Sequence, residues 1–256
     1  MIVTADSVTE LDDVSGMVLV AGSHGGTVAA YYAAAARVRA VIFHDAGLSK
    51  DDSGVAGLAL LESAGIAAAA VRHSSARIGD GADCLARGTI SRANAQAAAC
   101  GVAPGQACSD AAVRLLAAPR VEASLPPAGQ GRHALAPSVV GCDSVGQLQE
   151  GDAGRILVIG SHASLHGGRE ESALPIAAAL VFFHHGGGDC SRLPVLDARG
   201  IPAAAVDAMS ARIGNARSLW ESGIVSNPNR TARAVGIVPG MTVRAAVQGF
   251  TAGQSG

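Results

Sequence analysis

Ser75-Ala76-Arg77-Ile78-Gly79 recurs letter for letter as Ser210-Ala211-Arg212-Ile213-Gly214, a separation of 135 residues from Arg77 to Arg212. The same separation carries Gly65-Ile66 onto Gly200-Ile201, and Gly88, Ser91 and Asn94 onto Gly223, Ser226 and Asn229. Gly101, Pro104 and Gly105 fall likewise on Gly236, Pro239 and Gly240. Upstream the offset drifts by a few residues. Phe43-His44 then matches Phe183-His184, Gly22-Ser23-His24 matches Gly160-Ser161-His162, and Asp6-Ser7-Val8 matches Asp143-Ser144-Val145. An ordered series of this kind reads as an internal repeat. The expected organisation is a first repeat over 1–116, a linker over 117–137 rich in proline and glycine, and a second repeat over 138–250. His133 lies in that linker with no counterpart and reads as an exposed side chain. The tail from Thr251 reads as disordered.

Within a repeat, strand and helix signals alternate. Met17 to Ala21 is a short, wholly apolar run ending at Gly22, as a buried parallel strand would be. Thr27 to Val38 reads as an alanine-rich helix, Ala40 to Phe43 as a strand, Ser53 to Ala64 as a helix and Ile66 to Val71 as a third strand. After Arg77 the spacing suggests a loop-rich segment of hairpin character, closed by a helix over Ser109 to Leu116. The second repeat reads the same way from Arg155-Ile156. The expected fold class is therefore α/β, a tandem duplication of a Rossmann-like parallel-sheet unit forming a pseudo-twofold pair.

Composition narrows the function classes. Hydrophobic residues make up 49% of the 256 positions and charged residues 16%, well under the roughly 25% usual for soluble domains. So few charges cannot cover two small units, and a homo-oligomer is expected. A net charge of −2 without a basic patch argues against nucleic acid. Leu174 to Phe183 is too short to cross a bilayer, so no membrane role is expected. The first sixteen residues hold Asp6, Glu10, Asp12 and Asp13 where a signal peptide would be basic. The five cysteines are scattered without a CxxC pair, which suits reduced thiols in the cytoplasm.

Ligands of parallel sheets bind beyond the carboxyl ends of the strands. Three such ends in the first repeat carry chemistry: Gly22-Ser23-His24-Gly25-Gly26, His44-Asp45, and His73-Ser74-Ser75-Ala76-Arg77. Ser23, His24, His44 and Asp45 are the candidate catalytic residues: a serine as nucleophile or donor, histidines as general bases, and Asp45 orienting one of them. Gly25 and Gly26 offer backbone amides to an anion or oxyanion. Ser75 and Arg77, with Ser161, His162, His184 and Arg212 of the second repeat, are the candidate substrate-binding residues, the arginines suiting a carboxylate. Each has a plain alternative: serine caps, turn-forming glycines, arginines tying loops to carbonyls. Asp80, Asn215, Asn94 and Asn229 read as turn or cap residues, and Cys84 lacks a neighbouring base. The histidines permit a divalent metal without the spacing that would indicate one. The expected function is an enzyme acting on a small polar or anionic molecule, a hydrolase of an amide or cyclic amide. The alternatives are a lyase or isomerase using the same histidines, a non-catalytic binder of small anions or phosphate, and a structural subunit.

Overall fold

A computed structural model describes residues 1–122, 125, 129 and 131–254. Pro126, Pro127 and the end of the tail, Ser255-Gly256, lie outside the described residues. The chain divides into two compact units. One comprises Met1–Leu48, Asp52–Gly129 and His166–Gly168, the other Ser49–Asp51, Gln130–Leu165 and Arg169–Gly256.

The first unit is built on strands β1 (Ile2–Ala5), β2 (Val18–His24), β3 (Ala40–His44), β4 (Ala67–Val71) and β5 (Ile90–Ala93), hydrogen-bonded in that order. The first four run parallel, while β5 is antiparallel to β4. Side chains alternate between two cores, as a pleated strand requires. Leu19, Val41, Phe43 and Ala68 face α1 (Thr27–Ala35) and α2 (Gly57–Ser63). Val18, Val20, Ile42 and Ala69 face the residues of α3 (Gly81–Arg87), α4 (Ala95–Ala99) and α5 (Cys108–Leu115). Burial on both faces explains why β2, β3 and β4 read as unbroken apolar runs. The layering is Rossmann-like, but the strand order never reverses, so the sheet has no topological switch point.

The second unit carries β6 (Arg132–Ala136), β7 (Val139–Cys142), β8 (Ile156–His162), β9 (Leu180–His184), β10 (Ala203–Val206) and β11 (Val225–Pro228). Here β7 to β10 are parallel, with an antiparallel strand on each edge. Its helices are α6 (Arg192–Ala198), α7 (Ala216–Ser222), α8 (Arg230–Ala234) and α9 (Val243–Gln254).

Several sequence expectations need correction. Residues Arg132–Ala136, in the stretch read as linker, form β6 and pair with β7. His133 is accordingly not an exposed linker residue: its side chain is 16% accessible, beside Asp143, and accepts a bond from Arg217. The segment after Arg77 contains α3 and α4, each opened by an aspartate or asparagine cap. Thr251 continues α9 rather than starting a disordered tail.

The largest departure lies between β8 and β9, which are joined without an α-helix. Gly167 and Gly168, both at positive φ, interrupt the segment corresponding to α1, and only a 3₁₀ turn forms at Glu170–Ser172. A side chain replaces the missing helix. In the first unit a Cβ on Gly57 would lie 2.4 Å from the Gly26 carbonyl and 2.8 Å from Ala30 of α1, so glycine is required there. The matching position is Arg192, fully buried, whose guanidinium donates to the carbonyls of Ser164, Ser172 and Ala173. Backbone carbonyls that a helix would satisfy internally are here satisfied by one arginine.

Candidate functional site

The strand ends are built alike in both units, and this construction accounts for most of the repeated residues. Gly22 ends the regular part of β2 and its carbonyl accepts from Gly79, 2.8 Å away. A Cβ there would stand 2.3 Å from the Asp80 nitrogen. Gly160 repeats the arrangement with Gly214 and Asn215. Ser23 accepts from the Val8 amide at 3.0 Å, as Ser161 does from Val145 at 2.9 Å. Both serines thus close the loop that follows the first parallel strand, each keeping its own hydroxyl proton to donate.

The glycine loop is likewise closed on itself. The Gly25 amide donates to the His44 carbonyl, and the Gly26 amide to His24 Nδ1 at 3.2 Å. These two amides therefore already have acceptors within the unit. The bond from Gly26 places the proton of a neutral His24 on Nε2. His24 is half-buried and stands opposite His44 in the β2–β3 register; His162, buried, stands opposite His184.

His44 and His184 do the same job in their units. His44 Nδ1 accepts from Ala46 at 3.0 Å while Nε2 lies 3.1 Å from the Ala76 carbonyl. His184 Nδ1 accepts from Gly186 at 3.0 Å, with Nε2 3.0 Å from Ala211. One acceptor and one donor per ring describe a neutral Nε2–H imidazole stapling the strand end to the SARIG loop. Burial, opposed by the bond to the Ala76 carbonyl, lowers the His44 pKa from 6.5 to about 4. Burial does the same to His184, again to about 4. With both nitrogens on backbone, these rings serve architecture.

Asp45 is different. It is buried, and its Oδ1 accepts from the Gly47 and His73 amides at 3.0 and 2.8 Å. The same oxygen lies 3.3 Å from His73 Nδ1, and the His73 side chain is 42% accessible. A fixed, buried carboxylate thus holds one nitrogen of an accessible imidazole. The sequence singled out Asp45 as an orienter but quoted His73 without assigning it a role. Its signal was position: a histidine two residues past β4, lacking a counterpart, since the matching residue is Ala208. The second unit also replaces Asp45 by His185. The backbone after Asp45 is strained as well. Ala46, Leu48, Ser49, Asp51 and Asp52 all adopt positive φ, whereas a glycine, Gly186, stands at the position matching Ala46. Left-handed conformations at non-glycine residues are costly and concentrate at functional sites.

The repeated Ser75 and Ser210 are turn residues. Ser75 Oγ donates to Arg72 and accepts from Thr89; Ser210 does the same with Asp207 and Ile224. The cap expectation holds for Asp80, Asn94, Asn215 and Asn229, each accepting from the amide three residues on. The arginines diverge. Arg77 pairs with Asp83 at 3.2 Å and Asp80 at 3.4 Å. Asp83 also binds Arg87; burial raises the Asp83 pKa, but the Arg87 hydrogen bonds and the Arg77 amide outweigh it and leave it lowered. In the second unit Asp80 and Asp83 become Asn215 and Ser218, and Arg212 pairs instead with Asp51 at 2.7 Å.

Burial raises the Cys84 thiol far above its ordinary range, against a nucleophilic role. Among the described residues no three His, Cys, Asp or Glu side chains form a group suited to a metal ion. No helix among them is long and apolar enough to cross a membrane. No protein-family model, curated protein or solved structure matches this chain.

Proposed function

We propose that the chain is an enzyme acting on a small polar or anionic metabolite, hydrolysing the C–N bond of an amide or cyclic amide. The observation that carries this reading is the Asp45–His73 pair. Asp45 holds His73 Nδ1 as the donor, which leaves Nε2 as the basic nitrogen on an accessible ring. His73 then takes the proton of an attacking water or hydroxyl and returns it to the leaving nitrogen. Ser23, whose hydroxyl proton is uncommitted by its bond from Val8, and half-buried His24 supply donors to the substrate. The strained backbone that follows Asp45 supports the same location.

The two units descend from a duplication, supported by the recurrence of the same bonds at Gly22 and Gly160, His44 and His184, and Asn94 and Asn229. Five cysteines without a disulfide suit a cytoplasmic protein, and the scarcity of charge suits a homo-oligomer.

The test is turnover of a panel of linear and cyclic amides bearing a carboxylate, by wild type and by His73→Ala. Amide consumption reduced about 10²- to 10⁴-fold in the variant is expected. Failure of the wild type to consume any amide would remove the hydrolase reading, and full activity in the variant would remove His73. Rearranged or eliminated products would select an isomerase or lyase using the same base.

A further inference from the structure

The second unit contains a polar cavity of about 470 Å³ lined by Lys50, Asp51, Arg212, Arg217, Ser218 and Glu221, among others. That volume lies in the range of small-molecule sites, roughly 300–1,000 Å³. We propose that this cavity binds a small oxyanion, a phosphate or carboxylate group, with Arg212 as its principal ligand and Asp51 as an internal stand-in for it.

One repeated arginine stands in two different settings. Arg77 is compensated by two carboxylates, Asp83 and Asp80, and Asp83 binds Arg87 too. At the matching positions the second unit keeps the arginine and replaces both carboxylates by neutral Asn215 and Ser218. These residues retain the local architecture. Ser218 Oγ still accepts from the Arg212 amide, 2.9 Å, as Asp83 does from Arg77, and Asn215 still caps α7 as Asp80 caps α3. Arg87 becomes Ser222 and Ala86 becomes Glu221, so the two cations and two carboxylates of the first unit give way here to fewer carboxylates. Arg217, on α7, adds a further cation where the first unit has Ala82.

The remaining compensation is weak and displaceable. Arg212 meets Asp51 through Nε alone, and the two side chains are 55% and 51% accessible. Exposed pairs of this kind contribute little. Among the described residues the other guanidinium N–H groups of Arg212 have no partner, leaving a fork of the kind that grips phosphate or carboxylate through two bonds. Lys50 Nζ spends two of its three donors, on Ser222 Oγ and the Ser210 carbonyl. An arriving oxyanion takes the place of the Asp51 carboxylate beside Arg212 and meets Lys50 and Arg217 there. The inference does not depend on His73 or on any reaction at Asp45.

Inorganic phosphate and malonate, titrated into the intact chain by calorimetry and by NMR of the arginine side chains, test it. Saturable binding of at least one is expected, with the Arg212 Nε–H signal moving. Arg212→Gln should weaken the affinity about tenfold or more, since a charge-assisted bidentate contact is removed. Asp51→Asn should strengthen it several-fold, because the stand-in is gone. Arg230→Gln, an equal charge change outside the cavity, should leave it unchanged. Absence of saturable binding overturns the proposal, as does an affinity that Arg212→Gln and Arg230→Gln lower equally. His73→Ala with unaltered phosphate binding separates this site from the catalytic reading.

Discussion

The two units share a scaffold and differ in what stands on it. At the ends of corresponding strands, His44 and His184 make the same two backbone bonds, and Asn94 and Asn229 fix the same four backbone groups. Three differences bear on the candidate sites. The Asp45–His73 pair is His185 and Ala208 in the second unit; the clamped Arg77 becomes the cavity-lining Arg212; and helix α1 with Gly57 becomes a coil pinned by Arg192. The histidines and asparagines that make these bonds in both units are therefore those the architecture needs, and the Asp45–His73 pair stands where the units part.

The sharpest way to break this comparison is to disturb the Asp45–His73 pair, which lacks a counterpart. Asp45→Asn keeps an acceptor for the Gly47 and His73 amides but no longer specifies the His73 tautomer. It should lower kcat/KM about 10²-fold or more in a steady-state amide assay, with little change in KM. The shared histidines should behave in the opposite way. His44→Ala and His184→Ala each leave a buried amide and a buried carbonyl without partners and open a cavity. Each should cost about 2–4 kcal/mol in denaturant unfolding, and the two costs should agree, because the bonds do.

The same pair sets an acid limit. Their native pKa values of about 4 lie below the ordinary 6.5, so between these values the unfolded chain binds more protons than the native one. Stability from this source is complete above pH 6.5 and is lost as pH falls toward 4. The slope approaches about 1.4 kcal/mol per pH unit for each histidine. Urea midpoints across that window check it; a flat profile would show that neither ring is held neutral.

How much of this was legible in the sequence follows from the same division. The matched segments Gly22-Ser23-His24 and the SARIG pentapeptide revealed the repeat and the strand ends, since a buried parallel strand is a run of apolar residues whatever surrounds it. Short elements escaped. β1 has four residues, and α3 and α4 have seven and five, too few for periodicity to register. The missing helix between β8 and β9 escaped because alanine and leucine flank it as they would a helix, and only Gly167-Gly168 and a buried arginine say otherwise. In the site, repetition drew attention to His44, Ser75 and Gly25, whose polar groups turn out to serve the backbone. His73 went without a role because it occurs once and its partner, Asp45, is 28 residues away.

A milder substitution sharpens the contrast between the arginines. Asp83→Ser moves the first unit towards the second unit's arrangement: the hydroxyl accepts from the Arg77 amide, Arg77 and Arg87 lose their common carboxylate, and Arg77 keeps Asp80. The melting temperature should hardly move, because those pairs are exposed at the arginine side. A new, weak phosphate site at Arg77, detectable by NMR titration, would be the smallest effect expected.

The central claim, that the unshared Asp45–His73 pair acts while the shared His44 and His184 hold the fold, is tested most directly by measuring turnover and melting temperature together for His73→Gln and His44→Gln. The account predicts that His73→Gln loses turnover and keeps its melting temperature, and that His44→Gln melts markedly lower. Turnover surviving in His73→Gln, with an unchanged melting temperature in His44→Gln, would contradict it.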